Sequence, residues 1–523
     1  MRSLHWIRRY SYGVGHVMND LCAAMWFSYL LVFYHGVLGI SNFSAGLIML
    51  IGQVADAMFT PFIGVAADST KSEYGPRKTW HLLGTFCVLI SFSFIFRECI
   101  DCENASAWAI SLYYCCFVVV FQFGWASVQI SHLSLIPQLT HDSLEQVSLN
   151  GLRYAFTIMS TIAVYISMWL LLEFDKSKDG ELNAADSPIF MEMGYSVLAV
   201  GAIFVLIFHL GVKEKSPADA MRDEPAFKSK SSWRKWFKRL PFYQNALIYM
   251  SSRLMVNISQ IYAPLYILHS LHLHKRNIAI FPLVVYVSGF ITTLLMRKIN
   301  ERIGTRVTYL LGLVTFLGAC VWFHFQKPRY ECVDLPVDTT IPPTTHNISI
   351  LEPCLATQKI EYHSSLAVES VFGAGVLLGM GGSTALVTSL SMTSHLIGKE
   401  TDSGAFVYGA MSFMDKLSNG IAVQVIQTLH PCGHVVCCLA CESYYRQILV
   451  YVPGSAACFA FLVLVWMVIR ERADNAMASG AELQNDTEPI DIHFQRGNNY
   501  GTVTAPSPDK SINSVERRPL LDE

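Results

Sequence analysis

The sequence predicts an all-α membrane protein of about twelve transmembrane helices arranged as two six-helix halves. Three observations carry that prediction. Only 15% of the residues are charged while 52% are hydrophobic, against roughly 25% charged in a soluble domain. The apolar residues arrive in blocks such as 107–136 and 445–469, and about 20 residues suffice to cross a hydrocarbon core of about 30 Å as a helix. A polar, basic stretch at 213–239 divides two lengths of similar size that share short internal repeats.

The first segment follows Arg2, Arg8 and Arg9 and contains His16, Asn19 and Asp20. It is too long and too polar for a cleaved leader and reads as a retained first helix. The spans fall at 12–38, 43–67, 80–96, 107–136, 149–172 and 189–211 in the first half, and at 240–271, 278–296, 307–325, 365–397, 404–429 and 445–469 in the second. The organisation is a six-helix half at 1–212, a linker at 213–239, a second half at 240–470 and a disordered tail at 471–523.

Basic residues set the orientation, because Lys and Arg are retained on the cytosolic side. The even-numbered connections carry Lys71, Arg77 and Lys78, then nine Lys or Arg in the linker, then Arg297, Lys298, Arg302 and Arg306. Both termini are therefore expected in the cytosol. The odd connections carry eight cysteines (Cys99, Cys102, Cys332, Cys354, Cys432, Cys437, Cys438 and Cys441) and the acceptor triplets beginning at Asn104 and Asn347. That is the pattern of a lumenal or extracellular face, where disulfides and glycans form. Zinc binding or thiol exchange is the other use of such cysteines, but an even count in an oxidising compartment favours structural disulfides and no metal. A third triplet at Asn42 lies too near the membrane to be modified.

The repeat is specific enough to orient the halves. Ser131-His-Leu-Ser-Leu-Ile-Pro-Gln-Leu139 matches Thr388-Ser-Leu-Ser-Met-Thr-Ser-His-Leu396 at an offset of 257 (131 to 388), and Gly75-Pro-Arg77 recurs as Gly304-Thr-Arg306. Two parallel six-helix repeats are the plan of transporters whose substrate site lies near the midplane between them.

Ionisable groups within the spans point to function, since a charge at mid-bilayer costs on the order of 3 kcal/mol. His16, Asn19 and Asp20 lie in the first span, Gln53, Asp56 and Thr60 in the second, Gln122, Gln129 and His132 in the fourth, and Arg153 in the fifth. The seventh carries Arg253, Asn257 and Gln260, and the eleventh Asp415, Lys416 and Asn419. Spacings of three, four and seven residues put each set on one helical face, so the helices are expected to enclose a wet cavity with both signs of charge. The plainer reading is that these groups only bind helix to helix. A cavity with carboxylates and cations suits a zwitterionic or hydroxyl-rich solute, with Lys416 or an Arg receiving a carboxylate and Asp20 or Asp56 an ammonium or a coupling proton. No GxSxG elbow, HExxH pair or P-loop is present, so the sequence gives no support to an enzyme or an ATP-driven pump. The net charge of −2 gives no basic surface for nucleic acid, and no cofactor is called for.

Gly64-Val-Ala-Ala-Asp68 followed by Tyr74-Gly75-Pro-Arg77-Lys78 resembles the loop after the second helix in the glycoside-pentoside-hexuronide cation symporter branch of the major facilitator superfamily. In that branch acidic residues on helices one and two bind sugar and cation, and an Arg on helix five and a Lys on helix eleven complete the site. The resemblance implies those roles for Asp20, Asp56, Arg153 and Lys416, with Gly64, Asp68, Gly75, Arg77 and Lys78 forming a gating loop. The chain departs from the branch at Thr60, where a second carboxylate is expected, and at Gln122 and Gln129, which bring no acid to helix four. Those departures argue against sodium coupling and sugar binding.

A closer resemblance runs through nearly the whole membrane region, on Tyr12-Gly-Val-Gly-His-Val-Met-Asn-Asp-Leu-Cys22, on Phe121 to Pro137 and on Ser403 to Lys416. It is to a subfamily of major facilitators implied to import cysteine into lysosomes and melanosomes, with effects on lumenal thiols and pigmentation. Glu516-Arg-Arg-Pro-Leu520-Leu521 and Tyr500-Gly-Thr-Val503 fit the acidic dileucine and tyrosine patterns read by clathrin adaptors, which agrees with an endolysosomal address. The expected function is alternating-access transport of cysteine through a site containing Asp20, Asp56, Arg153 and Lys416. Protons are the candidate coupling ion, but symport would run out of an acidic lumen, so import needs antiport, uniport or another driving force. The alternatives are a proton- or sodium-coupled symporter of sugars or other small organic solutes, and a non-transporting receptor or scaffold.

Overall fold

The computed structural model describes residues 5–140, 143–174, 182–214, 233–326, 330–334, 357–361, 369–398, 404–431 and 439–485. Twelve long helices make up these residues. They are α1 (Trp6–Val37), α2 (Asn42–Ser69), α3 (Pro76–Ile95), α4 (Ala107–Ser134), α5 (Ser143–Phe174) and α6 (Ser187–Gly211), then α7 (Leu240–Leu265), α8 (Asn277–Ile303), α9 (Thr305–Phe325), α10 (Val371–Ile397), α11 (Gly404–Thr428) and α12 (Leu439–Asn485). Ten are long and apolar enough to cross a membrane on length and composition. The two others, α7 and α11, are as long at 26 and 25 residues, and they carry the polar sets around Arg253 and Asp415.

The structure differs most from the expected boundaries at the last helix. Helix α12 continues to Asn485, past the expected end at 470, because the following residues include strong helix formers such as Ala473, Ala476 and Ala478. The connection between α9 and α10 contributes a small antiparallel ribbon, β1 (Tyr330–Asp334) with β2 (Thr357–Glu361), in which Cys332 stands opposite Lys359. The described residues up to Val468 form one compact unit, and Ile469 to Asn485 belong to a second.

The first unit repeats its own construction. In each half the third and fourth helices cross at glycines. A Cβ on Gly84 would lie 2.7 Å from the Gly124 carbonyl oxygen, and one on Gly381 would lie 2.8 Å from that of Gly312. The pair α3/α4 thus corresponds to α9/α10, and 124 to 381 is the same offset of 257 as the sequence repeat. Small residues let backbones approach where no hydrophobic force drives helices together. Both α3 and α9 start at a glycine of positive φ, Gly75 at +110° and Gly304 at +79°. Both first helices end in a π turn, Val32–Val37 in α1 and Tyr266–Ser270 after α7. The halves meet where α2 packs along α11, α5 along α8 and α1 along α7.

One face of this seam, the face opposite the 213–239 linker, is sealed. Lys275 Nζ donates to Asp186 Oδ1 at 2.6 Å in a pair whose side chains are 1% and 2% exposed. Beside it Arg276 reaches Glu173 at 3.2 Å. A buried pair of this quality is retained for the register it sets more than for net stability.

Asn104 lies exposed in the α3–α4 connection of the same face, next to a disulfide that joins Cys99 to Cys102. Asn347, the tail residues Tyr500, Glu516, Leu520 and Leu521, and the cysteines Cys354, Cys432, Cys437 and Cys438 lie outside the described residues.

Candidate substrate site

A cavity of about 290 Å³ opens between the halves, walled by α1, α5, α7, α8, α9 and α10. That is at the small end of the range for ligand pockets, roughly 300–1,000 Å³. Most of the wall is apolar, including Phe27, Ile158, Phe281, Pro282 and Phe316, and the polar lining includes Thr157, Thr161, Asn257 and Gln260. Two charged residues of opposite sign reach it, Asp20 from the first half and Arg253 from the second.

Each charge is held from behind. A 3₁₀ turn at Val14–His16 interrupts α1 just before Asp20, and His16 Nδ1 lies 2.9 Å from Asp20 Oδ1 while Thr157 Oγ1 donates to Oδ2 at 3.0 Å. Arg253 donates from Nε and Nη2 to the Tyr249 hydroxyl at 3.3 Å and stands 3.9 Å from Asp415 Oδ2. Asp415 is in turn fixed by Asn419, whose Nδ2 donates to Oδ1 at 2.7 Å. An Arg on a one-sided carboxylate keeps donors free for a ligand, since a guanidinium carries five.

Gln260 ties the halves together next to the cavity. Its amide donates to Ser28 Oγ and to the Tyr165 hydroxyl, each at 3.2 Å.

Other residues singled out from the sequence lie elsewhere. Asp56 and Lys416 pair with each other across α2 and α11 at 2.7 Å, with side chains 7% and 12% exposed. Lys416 also donates to Thr60 Oγ1 at 3.0 Å. Thr60 therefore supplies a ligand to the lysine where the symporter pattern places a second acid. Neither partner is among the residues that line the cavity, nor is Arg153, whose buried Nε has no hydrogen-bond partner among the described residues. Asn19 donates to the Trp125 carbonyl at 3.0 Å, which fixes α1 to α4 within one half, and Gln129 accepts from the Trp125 indole at 3.0 Å within α4.

The gating-loop motif also acts within one half. Gly75 lets the Glu214 carboxylate settle on the start of α3, where it accepts from the backbone N–H of Arg77 at 3.1 Å and of Lys78 at 3.0 Å. A Cβ at Gly75 would meet Glu214 Oε2 at 2.3 Å. Lys78 Nζ donates to the carbonyls of His209 and Val212 at 3.0 and 2.8 Å, closing the end of α6. Gly64 sits in the turn of α2 below this loop, and the Asp68 side chain lies outside the described residues.

Sequence reading missed Tyr154, Thr157, Tyr249 and Glu214. A stripe was available for one of them: Arg153, Thr157 and Thr161 recur at four-residue spacing on α5, and the last two line the cavity. On the sealed face burial, then the charges of Arg276 and Lys275, hold the His274 imidazole below its ordinary range.

The sequence profile of the family described as "MFS/sugar transport protein" matches residues 11–429. Major facilitator superfamily domain-containing protein 12 of Mus musculus is 44% identical over 487 residues, covering 90% of this chain and 94% of that protein. The human protein of the same name is also 44% identical, over 492 residues, with the same coverage. The isoprimeverose transporter of Lactiplantibacillus pentosus is 24% identical over 330 residues, 62% of this chain and 65% of that one. Among solved structures, the nucleoside transporter NupG superposes with a TM-score of 0.58 at 12% identity, covering 88% of this chain and 99% of that one. The inward-open xylose transporter XylE from E. coli does so with a TM-score of 0.56 at 10% identity, covering 87% and 94%. At such identities the structural likeness shows the fold alone.

Proposed function

This chain belongs to the MFS/sugar transport protein family, and on that premise we propose that it is a secondary transporter that carries cysteine into the lumen of lysosomes and melanosomes. The observation that carries this reading is the presence of one carboxylate, Asp20, and one guanidinium, Arg253, on a single small cavity between the halves. A zwitterionic amino acid presents the complementary pair. Its ammonium meets Asp20, which His16 and Thr157 already orient, and its carboxylate meets Arg253 in a charge-assisted contact. The apolar wall around Phe27, Phe281 and Pro282 then takes a short, weakly polar side chain such as a thiol.

In this reading the halves at 1–212 and 240–470 rock about the α2/α11 and α5/α8 seams, and the Asp186–Lys275 and Glu173–Arg276 pairs close one side while the other exchanges substrate. Asp56 and Lys416 form a hinge pair rather than a substrate contact, and Arg153 stands behind Asp20. Both termini and the linker face the cytosol. The tail motif at Glu516, Leu520 and Leu521 recruits clathrin adaptors, with Tyr500 as a second signal, and Asn104 is glycosylated in the lumen.

A second reading, proton- or sodium-coupled sugar symport, is favoured by the family description and by the name of the isoprimeverose transporter. Against it, the carboxylate that the cation would use, Asp56, is already neutralised by Lys416. Counterflow in proteoliposomes separates the two. Labelled cysteine should accumulate against preloaded unlabelled cysteine and be competed by other small zwitterions but not by pentoses or hexoses. Accumulation of labelled xylose or glucuronide in place of cysteine would transfer the assignment to the sugar reading.

A further inference from the structure

Four helices of the first half bring imidazoles side by side away from the residues that line the cavity. His16 of α1, His81 of α3 and His132 of α4 are at most 3% exposed, and His209 of α6 joins them nearer the linker face. Ring centroids are 5.8 Å apart for His16 and His132, 6.2 Å for His132 and His81, and 4.9 Å for His81 and His209. The set begins at the Asp20 carboxylate, 2.9 Å from His16 Nδ1, and ends at Tyr74, which is 45% exposed.

Carbonyl partners fix the direction of the hydrogen bonds. A carbonyl only accepts, so His81 Nε2 donates to the Gly15 oxygen at 3.0 Å and His132 Nε2 donates to the Tyr12 oxygen at 2.8 Å. The other nitrogen of a neutral imidazole accepts. His81 Nδ1 therefore receives the proton of His209 Nε2, 3.1 Å away, and His209 Nδ1 receives that of the Tyr74 hydroxyl at 2.8 Å. This outer part is a continuous donor–acceptor chain. In the inner part His132 Nδ1 and His16 Nε2 are buried without a hydrogen-bond partner, and unpaired buried nitrogens are costly unless they are used.

The backbone is shaped to admit these rings. Gly15 lies in the 3₁₀ turn, which frees its carbonyl for His81, and a Cβ there would meet His132 Cδ2 at 2.8 Å and Phe208 Cδ2 at 2.5 Å. The charges that face the set are cations from two other positions, Arg153 of α5 toward His16 and His132 and Lys78 of α3 toward His81 and His209. Asp20 is the carboxylate at the inner end, and Trp125, Tyr12 and Phe208 fill the rest without charge.

We propose that Tyr74, His209, His81, His132 and His16 form a proton path between the linker face and Asp20, and that substrate uptake is coupled to proton exit along it. The inference rests on the reading of Asp20 as the ammonium site. A protonated Asp20 gives up its proton when the substrate ammonium arrives. The proton passes to His16 Nδ1, and His16 releases the one it carries at Nε2 toward His132 Nδ1. It crosses to His81 Nε2 by ring rotation or one water at each gap; with His81 and His209 in the opposite tautomers, His81 Nδ1 then gives its proton to His209 Nε2 and His209 Nδ1 releases one at the linker face, which leaves both rings in the hydrogen-bonded state described above. The carboxylate keeps its electron pair and gains the ammonium as counter-ion, so one proton moves outward for each zwitterion bound. This antiport direction lets an acid lumen drive substrate inward.

The test uses purified full-length protein in liposomes containing a pH dye, with labelled cysteine outside and an acid interior. Wild type should take up cysteine and alkalinise the interior together. His81→Gln keeps an amide that can hydrogen-bond but cannot relay a proton, so cysteine-evoked proton flux should fall about 100-fold while cysteine exchange stays within about twofold of wild type. His209→Gln, at the less buried end, should behave the same way and guards against a folding defect at His81. Proton flux and pH profile unchanged in both variants overturn the path, as does wild-type cysteine uptake with no proton movement, and both outcomes leave the transport reading standing. Loss of exchange in both variants assigns the rings a structural role and also overturns it. No cysteine uptake by wild type overturns the transport reading, and the coupling with it.

Discussion

Replacing Lys416 with methionine leaves the Asp56 carboxylate buried in the α2/α11 seam without its counter-ion. The two groups sit 2.7 Å apart at 12% and 7% exposure, and Thr60, which already donates to Asp56 Oδ1 at 3.2 Å, offers only partial compensation. Removing one member of a buried pair costs about 3–5 kcal/mol, and with that compensation the lower end applies, about 3 kcal/mol. Asp56→Asn strands the lysine and should cost a similar amount. The double variant Asp56→Asn/Lys416→Met removes both charges and should fall within about 1 kcal/mol of wild type, because an apolar substitute for a buried pair is often close to neutral. The coupling between the sites is then clearly larger than the 0.5 kcal/mol or so by which independent sites deviate from additivity. Reversible unfolding of the four proteins in mixed micelles, read by tryptophan fluorescence, measures it. Additive losses would refute the hinge-pair account, and a well-folded double variant whose KM for cysteine rises sharply would return the pair to the substrate site.

Three further outcomes follow from the same coordinates. Lys275→Met strands Asp186 on the sealed face and should raise labelling of a cysteine introduced at Ser28 by a membrane-impermeant reagent applied from that face; unchanged labelling would mean the pair is not a latch. Gly75→Ala puts a Cβ onto the Glu214 carboxylate at a φ of +110° and should destabilise by about 1–3 kcal/mol, with Glu214→Ala losing less and the double variant recovering part of the difference in the same unfolding assay. Asn104→Gln should abolish one glycosidase-sensitive step in electrophoretic mobility in cells, and an unchanged mobility would place that loop on the other side of the membrane.

The fold was legible because a bilayer leaves few choices. Blocks such as 107–136 had to be helices once their length and apolarity were seen, and the 257-residue offset read from Ser131 and Thr388 also relates Gly124 to Gly381 at the helix crossings of the two halves. The site was legible only in part. Asp20, Arg253 and Asn257 stand out as ionisable or amide groups in apolar segments, and all three line the cavity. What a linear reading lacks is the partner: nothing in one dimension says that Lys416 meets Asp56 rather than a ligand, or that Lys275, in a short loop, closes on Asp186 of the other half. Tyr154 is unremarkable in sequence and, like Thr157 of the α5 stripe, becomes a site residue only because α5 turns that face toward α8. Of the histidines only His16 and His132 stood out in the sequence, and the alignment of the four depends on the 3₁₀ turn at Val14–His16, which the pattern of apolar residues does not report.

The central claim is that Asp20 and Arg253 recognise the two ends of a zwitterion, and matched ligands test it most directly. Uptake of labelled cysteine, and of cysteamine, which lacks the carboxylate, should be measured in proteoliposomes of wild type, Asp20→Asn and Arg253→Gln. A charge-assisted hydrogen bond contributes about 1.5–3 kcal/mol, so Arg253→Gln should weaken cysteine about 10- to 100-fold while leaving cysteamine unchanged, and Asp20→Asn should weaken both. Equal loss of both ligands in Arg253→Gln, or cysteine uptake indifferent to either substitution, would contradict the account.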